Sequence, residues 1–505
     1  MVLALGLPAQ TFFAGDPGVK LIAARHAIAQ PGRPFQIPLP EIAGEPAPFV
    51  DRFFLVHDDH SHAVTPELFP LLSAPFIAVF GLRGAYVLPA AGLLVAIAAT
   101  AWLGLLLDRR RSPVTLLLTA FLGTPLLFYG LEFWEHAPAA GVAMLAAALL
   151  VRSASLSSSY GQFAAVGLLF GIAALLRPEA LWFGVAVLAG SLLLRSRPSA
   201  GRLGAATAGM LLPLLLLELY TLAHFGHALP PHIAGNPGLL GGDWFAMRHT
   251  VSLSWFISQG RTNFWRVAPA VLLAFVWRPI SYFGAAARRG RRFLLVVAVL
   301  FALLVVLTAP NDGGAQWGPR YLLLAYLPLS ILATDTLAYV VRFLGMPRRT
   351  ARASGKAAPT PARRALALLP IAAVASLAIG SAWLQRAAYK ELRGSKLTYL
   401  RMVDFVGHET AAGRAVVTDL WWLDQAAASL ADSRRFFVVT DPEDAAEVVH
   451  RLSVAGEPTV TLIRHPVDSP GHYTAWLARS CYRFEQERGD GEGLIAIQVT
   501  RACNH

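Results

Sequence analysis

A turn rich in ionisable residues, Glu132-Phe133-Trp134-Glu135-His136, lies between two apolar runs. Glu132 and Glu135 are three residues apart, so they share one helical face, and His136 follows directly. Two carboxylates and an imidazole could coordinate a divalent cation or position an acceptor hydroxyl. The structural alternative is an interfacial turn in which Trp134 anchors in lipid headgroups. Five residues between two spans rarely need three ionisable groups, so we favour a functional site.

A glycine-rich segment, residues 312–321, leads into another apolar run. Its glycines allow the backbone to approach a ligand closely, and Arg320 offers a guanidinium fork that suits phosphate. We expect Gln316, Trp317 and Tyr321 to contact the same ligand. The alternative is a glycine-rich turn with a snorkelling arginine.

Two further segments carry weaker signals. Asp16 follows Gly15 and precedes Pro17, a pattern that predicts a helix start and that a capping role alone could explain. Arg177 and Glu179 flank Pro178 and predict an ion-paired turn, with a lesser expectation that Arg177 lines the same site as the other clusters.

A fourth polar segment predicts a metal site. His57, Asp58, Asp59 and His60 supply imidazole and carboxylate groups that suit Zn²⁺ or Mn²⁺. Their spacing matches no defined metal motif, and a solvated loop is an equally common reason for such a sequence. A divalent metal cation is therefore the one cofactor that the sequence suggests.

Composition indicates that membrane-spanning elements position these residues. The 505-residue chain is 55% hydrophobic and 15% charged, whereas soluble domains carry about 25% charged residues. These values indicate an integral membrane protein and exclude a soluble enzyme or a secreted toxin. The net charge of +12 would ordinarily suggest nucleic acid as a partner, but its distribution over the loops argues against that partner.

Ten nearly charge-free apolar runs predict about ten transmembrane helices, since a span needs ~20 residues. The runs cover residues 85–107, 113–131, 137–151, 161–176, 180–194, 203–222, 267–287, 293–309, 321–341 and 365–384. One set of alternating loops carries 18 Lys and Arg in 50 residues and the other set 9 in 117. Cytoplasmic loops hold the positive charge, so the first set is predicted to be cytoplasmic. Most of the positive charge is therefore an orientation signal, to which contacts of Arg109–Arg111 with anionic lipid headgroups could add.

This orientation places the polar clusters and the C-terminal region outside the cytoplasm, in a multi-pass protein of the cell (inner or plasma) membrane. Because residues 1–13 are too few to span, we expect them to be the remnant of a first helix. The predicted domains are an extracytoplasmic loop with interfacial helices, a multi-helix membrane domain containing a basic cytoplasmic linker, and a small extracytoplasmic α/β domain. They cover residues 14–84, 85–384 (linker 347–364) and 385–505.

The α/β prediction rests on short β-like runs that alternate with helix-like stretches. The runs cover residues 415–418, 436–440, 459–463, 482–486 and 494–500. Cys481 and Cys503 flank the last two runs, so an antiparallel hairpin would bring them together. A disulfide and two free thiols are about equally expected.

Several of these segments together resemble a known family. Asp16, Glu132, Glu135, the Leu-Leu-Arg-Pro-Glu segment at 175–179 and the Gly-Gly-Ala-Gln-Trp-Gly-Pro-Arg-Tyr segment at 313–321 look like the GT-C superfamily of polytopic glycosyltransferases. Within it the chain is similar to bacterial relatives of protein mannosyltransferases and lipid A aminoarabinose transferases. The resemblance covers the membrane part of the chain and not the C-terminal domain.

The resemblance implies a reaction and roles for the residues. A sugar would pass from a polyprenyl-phosphate donor to a lipid, glycan or protein acceptor of the cell envelope, with inversion at the anomeric carbon. Asp16 would be the general base, although the family often has two adjacent acids where Pro17 stands here, so Asp58 or Asp59 could substitute. Glu132, Glu135 and His136 would position the acceptor or a cation.

Arg320 would hold the donor phosphate. A polytopic transporter or lipid flippase is the main alternative, because acids and arginines at membrane edges also suit solute passage. A non-catalytic scaffold that presents residues 385–505 is a weaker one. The long outer segments favour chemistry on the outer face.

Overall fold

The computed structural model describes residues 6–48, 53–58, 60–156, 158–226, 230, 244–276, 285–314, 316–354, 361–411, 413–439, 441–457, 459–465, 482–490 and 494–501. Asp59, Cys481 and Cys503 lie outside the described residues, so the proposed disulfide stays open. The described chain divides into two units. The helical unit comprises Leu88–His224 and Asn236–Lys390, and the sheet unit comprises Met1–Val87, Phe225–Gly235 and Glu391–His505.

Helices dominate the described chain. They are α1 Asp16–Ala29, α2 Leu68–Phe80, α3 Val87–Leu107, α4 Pro113–Leu122, α5 Leu126–Gly130, α6 His136–Ser155, α7 Tyr160–Leu176, α8 Glu179–Ser191, α9 Ala200–Phe225, α10 Trp244–Ser252, α11 Phe264–Val267, α12 Ala285–Thr308, α13 Leu323–Ser354, α14 Pro361–Glu409, α15 Leu423–Ala426 and α16 Pro442–Val454. The strands are β1 Ile37–Pro38, β2 Glu41–Ile42, β3 Glu45–Pro46, β4 Phe54–His57, β5 His60–Ala63, β6 Ala415–Thr418, β7 Arg435–Val438, β8 Thr459–Arg464, β9 Tyr482–Gly489 and β10 Ile495–Arg501.

Within the described residues, five helices are long and apolar enough to cross a membrane, and three shorter apolar helices accompany them. The five are Leu68–Leu107, His136–Ser155, Ala200–Phe225, Ala287–Thr308 and Arg320–Val340. The predicted polytopic helical architecture is therefore confirmed in its broad form, while the number of ten spans stays a prediction.

Two of the expected spans are not single helices. The run 113–131 is divided into α4 and α5, because Pro125 lacks an N–H and disfavours helical backbone at Thr124. In the run 267–287, Ala268 before Pro269 is not helical, with φ −145° and ψ 64°, and the chain continues as the 3₁₀ helix Pro269–Phe275.

Small residues allow close helix packing in the helical unit. A Cβ added to Gly92 of α3 would lie 2.3 Å from the backbone nitrogen of Pro138 in α6. One added to Gly141 of α6 would lie 2.8 Å from the carbonyl oxygen of Gly92. Such close backbone approach is typical of membrane helices, which gain their stability from packing, and it fixes the start of α6.

The sheet unit contains a five-stranded sheet in the order β7-β6-β8-β10-β9. Strand β6 runs parallel to both β7 and β8, whereas β10 runs antiparallel to β8 and β9. One face packs against α16 and the other against the end of α14 near Val406. The predicted C-terminal strands are therefore present, including the hairpin of β9 and β10.

The N-terminal segment belongs to the same unit as this sheet. Ile42 of β2 and Ala47 lie in the core that β6, β8 and α16 form. Arg451 of α16 donates to the carbonyl oxygens of Pro46 and Glu45 at 2.9 and 3.0 Å. The smaller sheet β1-β5-β4 packs on α1 through Ile37 and Phe54.

Candidate active site

The turn between α5 and α6 is buried. Glu132 and Glu135 are both 0% exposed, and His136 is almost completely buried. Glu135 precedes the first residue of α6, where the helix dipole favours negative charge. Trp134 is also fully buried, with its ring 5.7 Å from that of Tyr129. Trp134 is therefore a core residue and not the headgroup anchor of the structural alternative.

Arg177 joins two of the acidic residues. Its Nη1 donates to Oε1 of Glu135 and its Nε donates to Oε1 of Glu179, each at 2.9 Å. Arg177 follows the last residue of α7, and Glu179 is the first residue of α8. Cation and anion therefore lie at the helix ends that the macrodipole favours, and the Arg-Pro-Glu sequence places them two residues apart.

The charge of Arg177 is strongly fixed. Burial lowers the pKa of Arg177, but the carboxylates of Glu179 and Glu135 outweigh burial and raise the pKa above its ordinary value. The guanidinium therefore keeps its positive charge. His136 Nδ1 lies 4.0 Å from Oε1 of Glu135, so this carboxylate also faces the imidazole.

The glycine-rich segment is held in shape by its own polar side chains. Asn311 Oδ1 accepts from the backbone N–H of Gly313 at 2.8 Å and from the hydroxyl of Tyr321 at 3.2 Å. Gly313 has φ +89°, a conformation that a residue with a Cβ rarely adopts. A Cβ there would lie 3.2 Å from Cγ of Arg320, so this glycine is needed where the loop passes Arg320.

A network behind the segment anchors it to the helical unit. Asp312 Oδ2 accepts from the Ser254 hydroxyl at 3.0 Å, and its carbonyl oxygen accepts from Nε1 of Trp255 at 2.7 Å. The hydroxyl of Tyr129 donates to the carbonyl oxygen of Trp317 at 3.1 Å. These bonds fix both ends of the loop that carries Arg320.

Arg320 and Arg177 converge on one aromatic ring. Their Cζ atoms lie 5.1 and 5.4 Å from the ring centroid of Tyr321, distances typical of cation–π contacts. Arg320 Nη2 also donates to the Tyr321 hydroxyl at 3.3 Å.

These residues line a narrow cavity. Its polar wall is formed by His136, Arg177, Glu179, Arg320 and Tyr321. Its apolar wall is formed by Ala139, Ala140, Leu323 and Leu324. The cavity is small, and its two guanidinium groups beside an apolar wall are the kinds of group that a phosphate on a hydrocarbon chain would contact.

Gln316 and Trp317 lie in the same loop. In the described part of the chain, Oε1 of Gln316 and Nε1 of Trp317 are buried without a hydrogen-bond partner. Buried polar atoms are normally paired, so these two groups are suited to a ligand that enters the site.

Tyr129 and Glu179 contribute to the site, although the sequence did not place either of them in it. Tyr129 stacks on His136 at a centroid distance of 4.8 Å, and Glu179 pairs with Arg177 and lines the cavity. Tyr129 lies within an apolar run and gives no sequence signal. The Arg-Pro-Glu spacing did predict the ion pair of Glu179, but not its place in the cavity.

Asp16 and the His57 segment belong to the sheet unit. Asp16 is the first residue of α1, with Gly15 at the cap position, so it does not cap the helix itself. Its neighbour Gly15 packs closely on Gln425, since a Cβ there would lie 2.3 Å from Gln425 Oε1.

His57 and His60 face each other across the β4–β5 hairpin. His57 Nε2 lies 3.7 Å from Oδ2 of Asp58. Over the described ranges, which omit Asp59, no group of three or more His, Cys, Asp or Glu could hold a metal ion. Metal binding at His57, Asp58, Asp59 and His60, or at Glu132, Glu135 and His136, therefore stays a prediction.

Solved structures provide the comparison with known proteins. ArnT from Cupriavidus metallidurans in the apo state superposes with a TM-score of 0.58 at 14% identity, covering 98% of this chain and 95% of that one. The same protein bound to undecaprenyl phosphate gives 0.55 at 15% identity, covering 98% and 96%. The apo oligosaccharyltransferase of Archaeoglobus fulgidus gives 0.50 at 13% identity, covering 90% and 66%.

No family model and no curated protein sequence matches the chain. At these identities the similarity concerns the fold, and it extends over nearly the whole chain. Both structural neighbours are GT-C glycosyltransferases, which confirms the resemblance predicted from the motifs. The chain therefore shares the fold of these solved structures.

Proposed function

We propose that this protein is a membrane glycosyltransferase that transfers a sugar from a polyprenyl-phosphate donor to an acceptor at the outer face of the membrane, with inversion. The observation that carries the proposal is the cavity in which Arg177 and Arg320 flank Tyr321 beside the apolar residues Leu323 and Leu324. The fold shared with ArnT, one structure of which holds undecaprenyl phosphate, supports it.

In the proposed reaction, a base removes the proton of the acceptor hydroxyl while its oxygen attacks the anomeric carbon. The bond between that carbon and the phosphate oxygen breaks, and polyprenyl phosphate leaves. Negative charge grows on the phosphate, and preorganised donors at this position lower the barrier. Arg320 supplies the donors, and Arg177, held by Glu135 and Glu179, supplies a fixed positive field.

The remaining roles follow the chemistry of each group. Gln316 and Trp317 offer a buried acceptor and a buried donor, respectively, to the donor sugar. Glu132 and His136 orient the acceptor. Asp16 is the proposed base on the strength of the family resemblance. The polyprenyl tail explains the position of the site, because the lipid stays in the bilayer while its phosphate reaches the cavity.

The test uses purified protein in nanodiscs with a radiolabelled polyprenyl-phosphate sugar and a cell-envelope extract as acceptor. Arg320→Ala should lower transfer about 100- to 1000-fold, as expected for the loss of one charge-stabilising donor, and Arg320→Lys should retain an intermediate rate. Asp16→Asn should lose transfer without losing donor binding. Full activity of Asp16→Asn would overturn the base assignment.

The transporter alternative predicts a different result. Counterflow of a lipid or solute in liposomes, with no donor cleavage under any acceptor condition, would overturn the glycosyltransferase proposal. Label in the acceptor fraction, lost in Arg320→Ala, would support it.

A further inference from the structure

The carboxyl edge of the parallel strands in the sheet unit has the geometry of a ligand site. From β6 the chain goes to β7 on one side, and from β7 it crosses through α16 to β8 on the other side of β6. In open α/β sheets, ligands bind in the crevice outside the carboxyl ends of the strands at such a reversal. The proposed sugar-transfer chemistry uses residues of the helical unit and Asp16 of the sheet unit, and it leaves this edge unexplained.

One buried cation lies at this edge. Arg464 is the last residue of β8 and only 4% exposed. Its Nε and Nη1 are buried and have no hydrogen-bond partner in the described part of the chain. Asp419, which follows β6 at the same edge, accepts no hydrogen bond from either atom.

The strand register places Arg464 next to α16. Thr418 of β6 pairs with Ile463 of β8, and this is the last residue pair between the two strands. Arg464 lies one residue beyond it. Side chains alternate along a strand, and Val460 and Leu462 lie in the core cluster that includes α16. Arg464 therefore projects on the α16 face, at the end of the sheet where α16 begins.

Arg434 of the same unit provides a comparison, because its guanidinium is hydrogen-bonded within the protein. Arg434 donates from Nε to the hydroxyl of Thr410 at 2.9 Å, from Nη1 to the carbonyl oxygen of Ser433 at 3.1 Å and from Nη2 to that of Gly407 at 3.0 Å. Arg434 is satisfied by the chain itself, whereas Arg464 is not. A buried guanidinium cannot lose its charge, so leaving it unpaired is costly unless an anion pairs with it.

We infer that Arg464 binds an oxyanion, a phosphate or carboxylate group, carried by a molecule outside the chain. The binding itself does not depend on the transfer reaction, so it can be tested separately.

The experiment measures thermal unfolding of the whole protein in detergent, in phosphate or in chloride at matched ionic strength. The wild-type midpoint should rise with phosphate and saturate, because a ligand of the folded state stabilises it. Arg464→Met should show at least tenfold weaker phosphate dependence. It should also be at least as stable as wild type in chloride, because an unpaired buried charge is removed.

Matched variants separate this site from the donor site. Arg320→Ala, in the proposed donor cavity, should keep the phosphate response that depends on Arg464. Arg434→Met should unfold at lower temperature in both salts, because it removes a satisfied structural residue. If Arg464→Met is destabilised in chloride and keeps the full phosphate response, Arg464 is a structural residue and the inference is wrong.

The source of the oxyanion is tested in nanodiscs. A shift that depends on Arg464 with phosphatidylglycerol and not with phosphatidylcholine would support a lipid headgroup. The same shift with inorganic phosphate alone would support a soluble group. The absence of any Arg464-dependent shift with phosphate, acetate or anionic lipid would overturn the inference, whatever the outcome of the transfer assay.

Discussion

Among its described residues, the helical unit has two arginine–carboxylate clusters with opposite proportions. In the Arg177 cluster, one guanidinium binds two carboxylates, those of Glu135 and Glu179. In the Asp335 cluster, one carboxylate binds two guanidinium groups, those of Arg111 and Arg291. The Lys/Arg count predicts opposite faces of the membrane for the loops that supply these arginines.

The two clusters differ in how far hydrogen bonds within the protein use the N–H donors of their arginines. Arg111 donates from Nε and Nη2 to both oxygens of Asp335 at 2.7 and 3.0 Å, and from Nη1 to the carbonyl oxygen of Gly104 at 2.7 Å. Its fork is therefore used within the protein. The Arg177 cluster instead lines a cavity together with Tyr321. The two clusters therefore differ in whether their charged groups line a cavity.

The largest expected effect comes from removing the centre of the Asp335 cluster. Asp335→Ala leaves Arg111 buried without its counter-charge and should reduce the free energy of unfolding by about 3–5 kcal/mol. Urea unfolding in detergent measures this loss. Transfer activity per folded molecule should stay at the wild-type level, and a proportionate fall in activity would contradict the structural role of this cluster.

Removing the centre of the Arg177 cluster should have a different signature. Arg177→Met should lower transfer about 100-fold, since it removes the fixed positive field beside the donor phosphate. It also leaves two buried carboxylates that can become neutral by binding protons, which the arginines of the Asp335 cluster cannot do.

The pH dependence of stability distinguishes the two variants. In Arg177→Met the folded state binds more protons than the unfolded state in mild acid, so the free energy of unfolding should rise as pH falls from about 7 to about 4.5. Asp335→Ala should show no comparable gain relative to wild type over that range. Unfolding curves at several pH values measure the difference, and parallel pH profiles would refute the contrast.

The sequence singled out the residues of one cluster and predicted its Arg177–Glu179 pair, although not the Arg177–Glu135 pair, and it missed the other cluster for identifiable reasons. Glu135 and Arg177 lie in short polar segments between apolar runs, so they stand out. Asp335 lies inside the apolar run 321–341, and Arg111 belongs to a basic loop that we predicted to be an orientation signal in contact with lipid headgroups. Arg111 is instead buried against Asp335. Their meeting depends on helix packing between residues 224 positions apart, which composition cannot show.

The same limit applies to the fold. Apolar runs and β-like patterns predicted most helices and the C-terminal strands, because these depend on local periodicity. The helix breaks at Pro125 and Pro269 have a local cause in the sequence, the prolines themselves, but the length of each apolar run suggested one uninterrupted helix. The inclusion of Ile42 and Ala47 in the core of the C-terminal sheet could not be predicted, because it depends on contacts between distant parts of the chain.

A smaller effect should separate backbone positioning from packing. Gly313→Ala strains a backbone at φ +89° and pushes on Arg320, so transfer should fall about tenfold while the free energy of unfolding drops by ~1–2 kcal/mol. Gly104→Ala, near the Asp335 cluster, places a Cβ 2.7 Å from Cδ2 of Leu116. It should cost stability and leave turnover per folded molecule unchanged. Equal losses of transfer activity in Gly313→Ala and Gly104→Ala would contradict a specific positioning role for the backbone at Gly313.

The smallest effect is expected at a hydroxyl pair beside the Asp335 cluster. Thr119 and Thr334 hydroxyls lie 2.7 Å apart, joining α4 to α13, and Thr334 also donates to the carbonyl oxygen of Ser330 at 3.0 Å. Interhelical hydrogen bonds in membrane proteins average about 0.6 kcal/mol, so Thr119→Val and Thr334→Val should each lower the free energy of unfolding by roughly that amount. The double variant should lose less than the sum, because the two changes remove one shared bond. Turnover should not change in any of the three, and a loss of transfer here would show that the Asp335 side of the unit is coupled to the site after all.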